Sequence, residues 1–150
     1  MFDWPQATRM NRRSVLASGA LALSGALSGC LAVFNNAGGE GSDYDVGMAD
    51  SAFEPSEVTV SLGDTVVWKN TSARAHTVTA YDSGIPEGGR YFASGGFEDE
   101  QAARDAWQRG AGGVVSGDTY EHTFETAGEF EYVCIPHERQ GMVGSVVVEP

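Results

Sequence analysis

Within nine residues the chain carries a thiol, an imidazole and a thioether: Cys134-Ile135-Pro136-His137-Glu138-Arg139-Gln140-Gly141-Met142. On one short loop, Cys134, His137 and Met142 can converge on a single ion. A second imidazole, His76, lies far upstream at the start of the β-prone run Thr77-Val78-Thr79-Ala80-Tyr81. Two histidines and a cysteine with a weak, long axial methionine are the donor set of a trigonal blue-copper site. That geometry lies between the preferences of Cu(I) and Cu(II), so little rearranges when an electron moves.

Other chemistries remain open on spacing alone. Zinc accepts two histidines and a cysteine, although thioether is a poor zinc ligand and structural zinc sites usually bring more cysteines. A cysteine nucleophile with a histidine base would need a third partner or oxyanion pattern, and none accompanies it. A buried cysteine with an unrelated surface histidine is the plainest alternative. His122 shares a face with Tyr120 and Phe124 and is expected to be a hydrogen-bonded core histidine, not a further ligand. Trp68 and Met48 are expected to fill the core, and Pro136 to stiffen the ligand loop.

The elements that must position these residues read as short strands. Glu57 to Leu62 alternates polar and apolar, with Val58, Val60 and Leu62 on one face. Gly63-Asp64 reads as a tight turn and Thr65 to Asn70 as the returning strand. Tyr120 to Phe124 and Glu129 to Cys134 flank a turn at Thr126-Ala127-Gly128, and Ser145 to Glu149 is the last strand. Phe130, Tyr132 and Cys134 share a face, which puts the cysteine on the core side. The expected fold is an all-β Greek-key sandwich.

Residues 82–113 break this pattern. They contain many glycines and one expected short helix, Phe97 to Arg109, with Ser94 as a candidate cap and Gly110 as terminator. Glu100 with Arg104, and Asp105 with Arg109, are spaced as helix pairs. Trp107 is expected to dock this helix on the sandwich as a packing insertion.

The N-terminal segment reads as an address. Arg12-Arg13 precedes a short, moderately apolar run, too short and too rich in Ser and Gly for a membrane span, which ends in Leu27-Ser28-Gly29-Cys30. Residues 1–29 are expected to be a twin-arginine lipoprotein signal, starting at Met1 or Met10, with Cys30 as the lipid attachment site. Residues 30–43 would be a flexible tether and 44–150 the folded domain. With Cys30 and Cys134 assigned separate roles, no disulfide is expected.

Composition narrows the partners. The chain has 9 Lys and Arg against 21 Asp and Glu, a net charge of -12, and Lys69 is its only lysine. A phosphate-binding surface needs clustered cations, so nucleic acid is excluded as a partner. So acidic a surface suits a halophile, because near 1 M salt the Debye length shrinks to roughly 3 Å and self-repulsion is screened.

Residues 51–81 and 117–149 resemble the plastocyanin-like cupredoxins, and most closely the halocyanins. The resemblance rests on Phe53-Glu54-Pro55, Gly63-Asp64-Thr65-Val66-Val67-Trp68, His76-Thr77-Val78-Thr79 and Tyr132-Val133-Cys134-Ile135-Pro136-His137 through Gly141-Met142-Val143-Gly144. It implies one type 1 copper per chain held by His76, Cys134, His137 and axial Met142, with the Thr77 backbone near the sulfur and electrons leaving through His137. With no catalytic carboxylate pair, nucleotide loop or open coordination site in the sequence, the expected role is a non-enzymatic carrier between membrane redox donors and acceptors such as respiratory-chain complexes, for which a monomer is suited. The lipid membrane would be met through the anchor, on the outer face of the cell membrane. Copper trafficking or storage, or service as dedicated donor to one copper oxidase or reductase, stays open beside it. Residues 82–113 depart from plastocyanin, so no docking surface carries over there.

Overall fold

The computed structural model describes residues 42–150. The expected export signal, Cys30 and most of the expected tether lie outside the described residues.

The strands are β1 (Val46–Met48), β2 (Phe53–Glu54), β3 (Glu57–Ser61), β4 (Thr65–Asn70), β5 (Thr79–Ala80), β6 (Thr119–Thr123), β7 (Gly128–Val133) and β8 (Val143–Glu149), with burial alternating along β3, β4 and β6 while β1 and β5 are buried throughout. The described residues form two four-stranded sheets, ordered β2-β1-β4-β6 and β3-β8-β7-β5. The β1–β4 and β3–β8 pairs are parallel, and the others are antiparallel. The sheets face each other as a sandwich.

One expectation fails at Gly63-Asp64. The turn does not close a hairpin, because β3 pairs with β8 while β4 pairs with β1 and β6 in the opposite sheet. Hairpin turns and sheet-crossing turns use the same residues, so local sequence does not distinguish them. Leu62, just past the end of β3, is half exposed at 50% while Val58 and Val60 are partly buried.

Aromatic rings lock the two sheets together. Trp68 on β4 meets Tyr132 on β7 edge-on with centroids 5.4 Å apart, Phe53 on β2 meets Tyr132 at 4.7 Å, and Phe124 meets Phe130 at 4.9 Å. These edge-to-face contacts put ring hydrogens against π faces, the favoured arrangement for buried aromatics. Gly144, opposite Tyr132 in the β7–β8 ladder, makes room for that ring: a Cβ there would lie 2.5 Å from the Tyr132 Cζ and Oη.

The inserted segment contains helix α1 (Glu100–Gln108). Its N-cap is Asp99, whose carboxylate accepts from Ala102 N–H at 2.7 Å. Ser94 has a different task, accepting from Val78 N–H at 3.1 Å and donating to Gly112 O at 2.7 Å. The helix buries Ala103 and Ala106, while Trp107 is only partly buried, against Gly113. Arg104 pairs with Glu100 at 2.9 Å as expected, but Asp105 accepts from Gln101 at 2.8 Å instead of pairing with Arg109.

Candidate metal centre

Strand register assembles the site. Val133 pairs with Val143, so residues 134–142 connect β7 to β8, and Cys134 N–H donates to Met142 O at 3.0 Å. Within the loop, Ile135–Gln140 forms a short 3-10 helix with Pro136 in its first turn. Gly141 leaves that helix at φ 81°, a left-handed conformation that costs glycine little. His137 N–H donates to Cys134 O at 3.1 Å, and Met142 N–H donates to His137 O at 3.2 Å. On the other side Thr79 pairs with Val133, which carries the segment preceding β5 alongside Cys134. His76 exchanges two backbone hydrogen bonds with Val114, at 3.1 and 2.7 Å, so the end of the inserted segment fixes its backbone.

Three of the four residues expected as ligands meet at one point. The Nδ1 atoms of His76 and His137 lie 3.1 Å apart, and Cys134 Sγ lies 3.5 and 3.4 Å from them. Among the described residues this is the one cluster of three or more His, Cys, Asp or Glu side chains able to hold a metal ion. His76, Cys134 and Met142 are fully buried, while His137 retains 6% exposure and is the member nearest solvent. Thr77 N–H donates to Cys134 Sγ at 3.4 Å, and the Thr77 hydroxyl accepts from Ile135 N–H at 2.9 Å, stapling the two chain segments beside the sulfur. The donors suit copper: two imidazoles and a thiol converge, a thioether is buried on the same loop, and water is kept out by the core.

Burial shapes the protonation of the metal-free site. It pushes the Cys134 thiol above its usual range, so metal uptake must release a proton from sulfur. Burial first, and the nearby His137 second, hold His76 down at about 4, and burial also lowers His137. Between about 6.5 and 4 the unfolded chain therefore binds a proton at residue 76 that the folded chain refuses. The metal-free protein should lose on the order of 3 kcal/mol of stability across that window as pH falls. Urea unfolding at pH 7 and pH 4 checks this. The loss should be smaller in His76→Asn, and an equal loss there would show that other groups cause it.

The loop is also held from outside. Arg104 of α1 grips both Glu138 oxygens, at 2.8 and 3.0 Å, and Tyr81 Oη donates to Glu138 at 3.0 Å. Glu138 follows His137 directly, so the inserted helix is tied to the metal loop. This bidentate clamp, chiefly through Arg104, lowers the Glu138 carboxyl below its ordinary range. Sequence reasoning paired Arg104 with Glu100 and missed Glu138, because that contact joins residues far apart in the chain.

Trp68 and Met48 are fully buried in the core. His122 is partly buried and outside the metal cluster, stacked on Phe92 at 4.8 Å and edge-on to Phe124. Ring contacts hold it, and no hydrogen bond to its side chain is formed among the described residues.

Comparison with known proteins agrees with this geometry. A family model described as copper binding proteins of the plastocyanin/azurin family matches residues 42–149. Plastocyanin from Tetradesmus obliquus is 32% identical over 97 residues, covering 65% of this chain and 58% of that protein. Plastocyanin from Scenedesmus fuscus is 33% identical over 97 residues, covering 65% of this chain and 86% of that protein. Halocyanin from Natronomonas pharaonis is 35% identical over 99 residues, covering 65% of this chain and 48% of that protein. The chain thus spans only about half the length of some of the curated relatives it matches. The solved structure of an oxidized amicyanin variant aligns with a TM-score of 0.50 at 29% identity, covering 69% of this chain and 79% of that one. The chain belongs to the plastocyanin/azurin family of copper-binding proteins.

Proposed function

We propose that this protein is a one-electron carrier whose copper is held by His76, Cys134, His137 and Met142. The observation that carries the reading is the convergence of two imidazole Nδ1 atoms and one sulfur within 3.1 to 3.5 Å, on a scaffold already hydrogen-bonded around them. Bound copper supplies a Cu(I)/Cu(II) couple. The protein's part is to hold the donors in one arrangement for both states, keep water out, and bring one ligand edge close to the surface. His137, at 6% exposure, is that edge and the route for the electron.

The twin arginines Arg12-Arg13 and the run Leu27-Ser28-Gly29-Cys30 support export and lipid anchoring at the outer face of the cell membrane. Anchored there, the carrier would exchange electrons with membrane redox complexes. Members of this family that carry electrons catalyse no reaction of their own, and this chain is read the same way.

The test loads the purified full chain with one equivalent of Cu(II) and mixes the reduced form with membranes. The expected result is an intense thiolate-to-copper band, narrow copper hyperfine splitting and oxidation of the protein by the membranes within milliseconds. A weak, ordinary Cu(II) spectrum would overturn the site. An intact blue spectrum with rapid copper loss to a mild chelator would overturn the carrier reading in favour of trafficking.

A further inference from the structure

We propose that Asn70 and Ser72 are positioning residues that hold His76 in the tautomer with its proton on Nε2, leaving the Nδ1 lone pair aimed at the metal. The inference deepens the copper reading and rests on His76 being a ligand.

The Asn70 side-chain amide is fixed in one orientation. Asn70 ends β4 and is 1% exposed. Its Nδ2 donates to two carbonyls, Arg74 O at 2.5 Å and Val114 O at 2.8 Å. Carbonyls only accept, so the amide cannot be turned over, and Oδ1 must face Ser72. There it accepts from Ser72 N–H at 2.9 Å and from the Ser72 hydroxyl at 3.0 Å.

A serine hydroxyl has one proton to donate. Its acceptors here are Asn70 Oδ1 at 3.0 Å, Arg74 O at 3.4 Å, which already receives Asn70 Nδ2, and in the opposite tautomer His76 Nε2 at 2.7 Å. With that proton directed at Asn70, Ser72 Oγ faces His76 Nε2 at 2.7 Å as an acceptor. Nε2 must then carry the hydrogen. In a neutral imidazole this leaves Nδ1 bare, and Nδ1 is the atom that faces Cys134 Sγ at 3.5 Å and His137 Nδ1 at 3.1 Å. The opposite tautomer would point an N–H into the metal position and leave Asn70 Oδ1 without the hydroxyl.

The relay has a second consequence. An acceptor on the far nitrogen makes an imidazole a stronger donor to its metal. Ser72 therefore favours Cu(II) over Cu(I) at His76, and its loss should raise the reduction potential. Asn70 also holds Val114 O, and Val114 fixes the His76 backbone, so one amide orients both the ring and the chain that bears it.

The test begins with the metal-free full chain, whose three histidines can be resolved by long-range nitrogen–proton NMR correlation. The expected wild-type result is His76 with Nε2 protonated and Nδ1 bare. In Ser72→Ala the tautomers should mix, Cu(II) affinity should fall by about tenfold, and the potential should rise. Ser72→Thr keeps the hydroxyl and should restore all three properties. A wild-type His76 protonated on Nδ1 would overturn the relay without need of any variant, as would an unchanged tautomer and affinity in Ser72→Ala. The expected tautomer in a chain that forms no blue site would leave the relay standing and remove the copper reading. A blue site with the wrong metal-free tautomer would do the reverse.

Discussion

Cys134→Ser should abolish the blue spectrum while leaving the fold intact. The sulfur is fully buried, lies within 3.5 Å of both imidazole Nδ1 atoms, and receives Thr77 N–H at 3.4 Å. A serine hydroxyl can accept the same backbone N–H, so no donor is stranded and the staple beside the loop survives. What it cannot supply is a soft thiolate. Its oxygen stays protonated at neutral pH, and the sulfur-to-copper charge transfer disappears entirely. Cu(II) affinity should fall by more than the ~10–100-fold typical of losing an outer partner of a metal ligand, because a ligand itself is gone. A second readout separates ligand loss from misfolding. Burial keeps the metal-free thiol protonated, so the parent chain should release one proton from sulfur per copper bound, and the variant should release none. Absorption, spin resonance and proton release at one copper per chain make the measurement. Retention of the intense band would move the thiolate to Cys30, the only other cysteine, and sink the assignment.

The half of the centre that is local in sequence was readable in advance. Cys134, His137 and Met142 sit on one loop, and strand alternation already turned the cysteine inward with Phe130 and Tyr132. His76 is legible only as a histidine opening a β-prone run. Its place beside Cys134 depends on β5 pairing with β7 at Thr79 and Val133, and spacing cannot show a pairing between distant strands. The same blindness hid the sheet crossing at Gly63-Asp64 and the grip of Arg104 on Glu138. Asn70 and Ser72 were passed over for a different reason. Both types are common in turns, and an Asn-x-Ser stretch after a strand looks like an ordinary connection. Only the three-dimensional contacts place the Ser72 hydroxyl 2.7 Å from His76 Nε2. The helix is legible in the sequence, but its cap is Asp99 and not the expected Ser94. Asp99 stands one residue before the helix, and Ser94 is occupied in joining Val78 to Gly112.

Trp68→Ala should cost the fold about 3–5 kcal/mol, a large share of the roughly 5–15 kcal/mol that holds such a domain together. Trp68 is fully buried on β4, whose neighbours are β1 and β6. Its indole touches Tyr132 and Phe92 at centroid distances of 5.4 and 6.0 Å, and Tyr120 and Phe124 at 5.7 and 6.5 Å. Because Tyr132 belongs to the opposite sheet, removing the indole takes away a contact that fixes one sheet against the other. The effect should reach the metal centre, since Tyr132 lies two residues before Cys134 on the strand that delivers the sulfur. Trp68→Phe separates ring volume from polarity. The indole Nε1 makes no well-formed hydrogen bond among the described residues and acts on Tyr132 only electrostatically, so phenylalanine surrenders little and should cost clearly less than alanine. Chemical unfolding of the copper-loaded and metal-free proteins measures both losses. Equal losses for alanine and phenylalanine would mean that the indole nitrogen, not the ring, is what the core requires. A broadened copper hyperfine pattern in Trp68→Ala alone would show that the packing between sheets sets the position of the sulfur.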